Sequence, residues 1–380
     1  MPTFYSAYKS FTNRFKLFNC ERKDFRTNRH IVVFESDDWG SIRMSNKNDW
    51  EKLLRMGYAV DKRPYERFDT LESPEDLEAL FEVLCKYKDC NGNHPVITAN
   101  MLMANPDFRR IEESGFQNYY YEPISNTYTR YFGNLKVLDL IKQGLDEGLF
   151  MPQSHGREHF NIAQWMRGLR LGDEDLMTAF RFGMCGIAPK AHPEKGNMLM
   201  NALWAEITEE MEEVNRAVAD GLRMFEQLFG YKSRTFVAPC YLWNEQIECV
   251  LAEYGVQLIQ TASMSKQLDS YQRRFFYSGQ RNNLGLVYSI RNCKFEPSTS
   301  EGGECVGTLM REIDRIFAMR KLAVISTHRI NYVSGIDEMN RRRTLKGLNE
   351  FLQLLLRKYP DVEFISSDEL IRIMETVVNN

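Results

Sequence analysis

The chain has 380 residues, of which 43% are hydrophobic and 27% are charged, a composition typical of a globular protein. Its 49 basic and 52 acidic side chains leave a formal charge of −3, so a general affinity for nucleic acid is not expected. No apolar run reaches the length of about 18 residues that a transmembrane helix needs, and no secretory signal is readable at the start.

The first 29 residues form a basic segment ahead of the regular part of the sequence. They contain the basic residues Lys9, Arg14, Lys16, Arg22, Lys23, Arg26 and Arg29, against the acids Glu21 and Asp24. We expect residues 1–29 to be a solvated extension, with peripheral contact to a membrane surface or a partner as the alternative. Residues 30–380 are predicted to form a single domain.

Short apolar runs alternate with helix-like segments throughout that domain. The apolar runs cover residues 30–36, 95–101, 149–155, 234–240, 256–262, 286–292, 322–328 and 362–366. The helical patterns cover residues 73–88, 134–146, 202–229, 244–254, 304–320, 337–358 and 368–377. Such alternation is typical of a parallel sheet that helices cover. Its seven or eight repeats predict an α/β fold, namely a distorted (β/α) barrel of about seven parallel strands.

Two stretches interrupt this alternation, near residues 101–133 and 156–201. Connections of this length are uncommon in a compact domain unless they are functional or inserted. We therefore expect both to be insertions into the barrel.

Polar residues follow the apolar runs where each predicted strand ends. Asp37 and Asp38 follow the first run, His155 and His159 follow the third, and His328 ends a late one. In α/β barrels the active site is built at the carboxyl ends of several strands, so these side chains are expected to converge. Two histidines four residues apart, with one carboxylate, form a common catalytic zinc shell. One aspartate of the pair would complete that shell while its neighbour accepts a proton as general base.

In order and approximate spacing, these residues resemble the NodB-homology polysaccharide deacetylases (carbohydrate esterase family four). The resemblance covers roughly residues 30–330 and includes the segment around Pro239 and the run that ends at His328. It implies a divalent metal, usually zinc, and removal of an N-acetyl group from a sugar or polysaccharide precursor. It implies the metal ligands Asp38, His155 and His159, the general base Asp37, and His328 as the acid that protonates the leaving amine.

The segment APCYLWN, residues 238–244, is similar to the Pro-aromatic loop of that family. The resemblance implies that the backbone N–H of Cys240 helps to hold the oxyanion. The further residues expected at the oxyanion or the substrate are Pro239, Tyr241, Trp243, Asn244 and Trp39.

Two features depart from the family pattern. Trp39 stands where a glycine normally follows the aspartates, and Val237 occupies the region of the arginine that normally steadies the base. Arg291 or Arg157 are candidates to replace that arginine. Glu296 is a candidate to orient His328.

Two other functions are consistent with the sequence. The missing arginine favours a non-catalytic relative that keeps the barrel and binds a metal or a carbohydrate. A glycosidase could use Glu35 and Asp37, which alternation places on the same face of one strand, but the histidines would then have no role. The eight cysteines contain no CxxC pair, which predicts reduced thiols and a cytoplasmic location.

Overall fold

The computed structural model describes residues 4–266, 273–299 and 305–376. The strands are β1 (Ile31–Trp39), β2 (Ile97–Met101), β3 (Ala104–Pro106), β4 (Tyr121–Pro123), β5 (Phe150–Ser154), β6 (Thr235–Val237), β7 (Leu258–Thr261), β8 (Met264–Lys266), β9 (Arg273–Phe275), β10 (Val287–Ile290), β11 (Cys293–Lys294), β12 (Ala323–His328) and β13 (Glu363–Phe364). The helices are α1 (Phe4–Lys23), α2 (Lys47–Arg55), α3 (Pro64–Phe68), α4 (Pro74–Leu84), α5 (Phe108–Glu113), α6 (Ile124–Phe132), α7 (Lys136–Asp146), α8 (Ile162–Arg170), α9 (Glu174–Arg181), α10 (Thr208–Phe229), α11 (Glu245–Glu253), α12 (Cys305–Ala318), α13 (Glu338–Lys358) and α14 (Ser367–Thr376).

The main sheet is parallel throughout, in the order β10-β7-β6-β5-β2-β1-β12-β11, with β13 beside the start of β1. The two strands at its ends, β10 and β11, are consecutive in the chain. Between them, the Arg291 N–H donates to the Thr261 carbonyl on one side, and the Asn292 N–H donates to the Val324 carbonyl on the other. Residues 287–294 therefore act as one continuous strand that closes the sheet. This confirms the predicted barrel of about seven parallel strands.

Strand β1 shows how alternation divides the barrel into layers. Val32 and Phe34 face outward into the core formed with the surrounding helices, which include α4, α7, α12 and α13. Ile31 and Val33 belong to a separate apolar cluster with residues of α14, which fills the amino-terminal end of the barrel. Glu35, two residues further along, is fully buried and begins a polar layer.

The predicted insertions contain regular structure that the sequence pattern did not indicate. Residues 101–133 form the β3–β4 hairpin together with α5 and α6, and residues 156–201 include α8 and α9. Their helices are short and bury aromatic side chains against one another, such as Trp165 between Phe108 and Phe180. Within the described residues, no helix has the length and apolarity to cross a bilayer.

The described part of the basic extension is the helix α1 and the residues that join it to β1. Lys321 pairs with Asp24 at 2.7 Å, and the Phe25 N–H donates to the Ser278 carbonyl at 2.8 Å. These contacts attach the end of the extension to the barrel. The alternative of a peripheral contact with a membrane or partner finds no support among the described residues, and the domain boundary at residue 30 stays a prediction.

A buried arginine holds the loop that follows β1. Arg329 is 0% exposed and donates to Asp69 at 2.9 Å, to Glu72 at 3.0 Å and to the Ser41 carbonyl at 2.6 Å. Glu72 also accepts from the Gly40 N–H. A fully buried guanidinium is tolerable only with such complete pairing, so this network fixes the path of residues 40–41.

We expect the substitution Arg329→Met to lower the free energy of unfolding by about 3–5 kcal/mol, because it leaves two buried carboxylates without their cation. Urea denaturation measures the loss. The control Arg342→Met removes an exposed helical ion pair with Glu338 and should change the free energy by less than about 0.5 kcal/mol. Equal effects of the two substitutions would contradict the assigned role of Arg329.

Candidate active site

The end of β1 places two consecutive aspartates in one cavity. On a regular strand, Asp37 and Asp38 would face opposite sides of the sheet. The register of β1 against β2 shifts between Ser36 and Trp39, and Asp38 has a φ of 76°. This left-handed conformation is uncommon outside glycine but favoured by aspartate among the other residues. As a result, both carboxylates line a cavity of about 310 Å³ at the barrel mouth.

Asp38 lies against both predicted histidine ligands. Its Oδ1 is 3.7 Å from His155 Nε2 and 3.4 Å from His159 Nε2. One potential ligand atom from each of the three residues lies within 4.8 Å of the others. The structure thus brings Asp38 together with two histidines that lie more than 100 positions later in the sequence.

The state of the histidines fits a bound cation. His155 Nδ1 donates to the Val237 carbonyl at 2.8 Å, which leaves the lone pair of Nε2 directed at the cavity. That Nε2 is buried and has no hydrogen-bond partner among the described residues. Burial lowers the pKa of His159 to about 3, so its imidazole is neutral at neutral pH, as a metal ligand must be. Two imidazoles and one carboxylate match the preferences of zinc.

The buried carboxylates near the cavity outnumber the cationic groups that pair with them. Ion pairs within the described part of the chain connect six carboxylates to three guanidinium groups and one imidazolium: Glu35, Asp37, Asp38, Asp69, Glu72 and Glu296 on one side, and Arg43, Arg291, Arg329 and His328 on the other. Burial raises the pKa of Glu35, Asp69 and Glu72, so the formal excess of two negative charges is an upper bound. A cation bound at Asp38 would reduce this excess.

Arg291 supplies the cationic partner of Asp37. Its two terminal nitrogens donate to the Asp37 carboxylate at 2.6 and 2.7 Å, and its Nε donates to Glu35 at 2.6 Å. Burial disfavours the ionised carboxylate, but the charge and hydrogen bonds of Arg291 prevail and lower the pKa of Asp37 to about 2. Of the two arginines proposed from the sequence for this position, Arg291 occupies it.

Glu296 orients and charges His328. The carboxylate of Glu296 is 2.5 Å from His328 Nδ1, while His328 Nε2 lies 3.7 Å from Asp37. Burial alone would lower the pKa of His328, yet the charge and hydrogen bond of Glu296 outweigh it and raise the pKa to about 9. His328 is therefore protonated at neutral pH and directs its Nε2 into the cavity.

The loop after β6 contributes Cys240 and Tyr241 to the cavity wall. Both residues have positive φ, 57° and 54°, so the chain turns sharply just after the buried Pro239. The Tyr241 hydroxyl accepts a hydrogen bond from Arg291 at 3.0 Å. The loop is thereby connected to the ion pair of Asp37.

Three aromatic or polar residues expected at the substrate lie elsewhere, which corrects those predictions. Trp39 is 0% exposed and packs between Phe150 and Tyr332 in the core. Trp243 is also buried, with its indole N–H bonded to Glu248. Asn244 caps α11 by accepting from the Ile247 N–H.

Arg157 and Glu35 likewise do not line the cavity. Arg157 pairs with Glu158 and Asp220 and stacks on Tyr121, so the expectation that it could support Asp37 is corrected. Glu35 is fully buried below the mouth, where Arg291 and the Ser367 hydroxyl occupy its oxygens.

Arg43 is a cavity residue that the sequence analysis did not single out. Its Nη2 donates to Asp38 Oδ1 at 3.1 Å, the oxygen that faces both histidines. Its side chain lies over the ring of Tyr65, which also meets His328 edge to face. Arg43 follows a sharp turn after β1, so no periodic pattern signals its position.

Comparison with known families gives one match, over part of the chain. Residues 197–295 match the family model of Glycosyl hydrolase family 57, which is about a quarter of the chain. No curated protein matches the chain in sequence.

Solved structures are similar over most of the chain. The peptidoglycan deacetylase PdaC from Bacillus subtilis has 10% identity and a TM-score of 0.37, covering 93% of this chain and 94% of that one. BA3943 from Bacillus anthracis, a CE4 family pseudoenzyme, has 11% identity and a TM-score of 0.38, with 90% and 66% coverage. The 4-alpha-glucanotransferase from Thermococcus litoralis has 11% identity and a TM-score of 0.45, with 90% and 40% coverage. The chain thus resembles solved polysaccharide deacetylases in its fold.

We expect the purified protein to bind about one divalent ion per chain, measured by elemental analysis after dialysis against zinc. His155→Ala should remove most of this metal, since it deletes one of three ligands. His192→Ala is the matched control, because His192 is an exposed histidine paired with Glu194 and should leave the stoichiometry unchanged. Retention of the metal by His155→Ala would contradict the site.

Proposed function

We propose that the protein is a metal-dependent hydrolase that removes an N-acetyl or related N-acyl group from a sugar or a polysaccharide precursor. One observation carries this proposal: a metal-type triad lies beside a carboxylate and a protonated imidazole in a single cavity. Asp38, His155 and His159 provide the triad, and Asp37 and His328 provide the other two groups.

Each residue has a role that follows from its position. A divalent cation, which we propose to be zinc, would act as a Lewis acid and lower the pKa of water. Asp37 accepts the proton of the attacking water, because Arg291 keeps this carboxylate ionised and fixed. His328 holds a proton on Nε2, directed into the same cavity, and donates it to the departing amine nitrogen. The backbone N–H of Cys240, at the sharp turn of the cavity wall, is proposed to donate to the developing oxyanion.

The charge state of the two groups supports a division of labour. At neutral pH Asp37 is ionised and His328 is protonated, so one can accept a proton while the other donates one. Hydrolysis of an amide needs both functions, since the amine leaves poorly without a proton. Opposite environments for two titratable neighbours are typical of acid–base pairs in enzymes.

The two alternative functions lose support in the structure. A non-catalytic role was favoured by the missing arginine of the Pro loop, but Arg291 provides an equivalent bidentate contact. A glycosidase would need Glu35 at the substrate, and Glu35 is buried and fully paired beneath the mouth. The cytoplasmic location and the precursor as substrate remain proposals.

We expect zinc-loaded protein to release acetate from N-acetylated saccharides, and Asp37→Asn to lower kcat by about 10²–10⁴-fold, because an amide cannot accept the proton. Acetate is measured by a coupled assay, and bound metal is measured in parallel. Asp314→Asn, at an exposed ion pair with Lys358, is the matched control and should retain activity.

The two measurements together separate the hypotheses. Full metal loading with no carboxylic acid released from any N-acylated saccharide would refute the hydrolase and favour the non-catalytic relative. Acetate release that survives in Asp37→Asn would refute only the role assigned to Asp37 and would leave the hydrolase function standing.

The pH profile tests the assigned acid. Activity should fall as pH rises through about 9, where His328 loses its proton. In Glu296→Gln the imidazolium loses its charged partner, so the pKa of His328 falls and the alkaline limb shifts to lower pH by about 1–2 units. An unchanged or upward-shifted limb would contradict the assignment of His328 as the acid.

A further inference from the structure

Two chain segments that are distant in sequence are joined to each other at the cavity. One is the start of α3 with the residue before it, Arg63–Glu66, and the other is the insertion segment 186–200. Both line the cavity beside the metal-type triad. Neither belongs to the strands of the barrel, so together they form an added wall at its mouth.

Direct hydrogen bonds connect these two segments. The Glu66 carboxylate accepts from the Ala188 N–H at 2.7 Å. Arg63 Nη1 reaches the carbonyls of Pro193 and Glu194 at 3.4 and 3.2 Å. Gly196 passes so close to the Arg63 guanidinium that a Cβ on Gly196 would collide with it, and its φ is 66°.

The same insertion segment continues to another part of the cavity wall. The Met200 carbonyl accepts from the Cys240 thiol at 3.4 Å, and the Met200 sulfur accepts from Arg43 at 2.9 Å. The segment therefore connects α3 with the loop after β6. Its residues Gly186, Ile187, Asn197 and Met200 border the cavity.

The size of the cavity suits a small occupant. Its volume of about 310 Å³ lies at the lower end of the range of about 300–1,000 Å³ for small-molecule sites. An internal unit of a polymer would need open space on two sides of the reacting acyl group. The joined segments occupy part of the space beside the triad.

Building on the proposed function, we propose that the site accepts a single or chain-terminal N-acylated amino sugar and excludes the internal units of a polysaccharide. The substrate class is thereby a small glycoside or the free end of a short chain. The wall formed by Arg63–Glu66 and residues 186–200 is the determinant of this selectivity.

The test compares acetate release by the zinc-loaded full chain from N-acetylglucosamine oligomers of one to six units. A second set of tetrasaccharides carries the acetyl group only at a terminal or only at an internal unit. We expect kcat/KM to change by less than about threefold with length, because no further subsites are filled. We expect less than about 1% of the terminal rate from the internally acetylated compound.

A variant that opens the wall gives a second measurement. The double substitution Arg63→Ala/Glu66→Ala removes the bonds between the segments and should raise the ratio of internal to terminal cleavage at least about tenfold. The matched control Arg109→Ala/Glu113→Ala removes an exposed ion pair away from the cavity and should keep the wild-type ratio.

The outcomes distinguish this inference from the proposed function. Efficient cleavage of internal acetyl groups by the wild type, or a rise of kcat/KM of more than about tenfold with length, overturns the inference while the deacetylase stands. Absence of acetate release from every compound overturns the proposed function itself.

Discussion

The buried ion pair between Arg291 and two carboxylates is the interaction on which the barrel and its site both depend. Only 2% of the Arg291 side chain is exposed, and it bonds Glu35, Asp37, Gln260 and the Tyr241 hydroxyl. Removing a guanidinium from water is costly, so this complete set of partners is needed to offset the desolvation. Arg291 also lies between β10 and β11, where the sheet closes. Arg291 therefore contributes its backbone to the closure of the barrel and its side chain to the charge state of Asp37.

The side chains of β1 that point into the barrel form successive layers from its floor to its mouth. Ile31 and Val33 make the apolar floor, Glu35 binds the guanidinium above it, and Asp37 receives the same guanidinium at the rim. Strict alternation would then send Asp38 outward. Its positive φ, at a register shift, interrupts the alternation and gives the metal-type triad its carboxylate. Local backbone strain at this point is thus directly related to the chemistry that we propose.

Much of this organisation could be predicted from the sequence, because it follows from periodicity. Apolar runs located every strand of the main sheet except the two-residue β11. The polar residues that follow those runs gave the triad, Asp37 and His328. Trp243 and Asn244 were misplaced because neighbours of a loop residue do not share its direction: one turns into the core and the other caps a helix. Arg43 and the wall over the cavity depend on tertiary contacts between segments more than 100 residues apart, which no local pattern encodes.

The replacement of the Pro-loop arginine shows what the site requires physically. Val237, at the end of β6, accepts a hydrogen bond from His155 with its carbonyl. The cation for Asp37 is Arg291, which lies between β10 and β11 where the barrel closes. Strands of a barrel converge, so a guanidinium from either strand can reach the same carboxylate at the centre. The constraint is therefore that Asp37 has a bidentate cationic partner, and the strand that carries it is free to vary. For this reason the absence of an arginine from its usual motif is weak grounds for calling such a chain inactive, whereas the loss of Arg291 from this interior would leave the buried Glu35 without its cation and Asp37 with only the more distant His328.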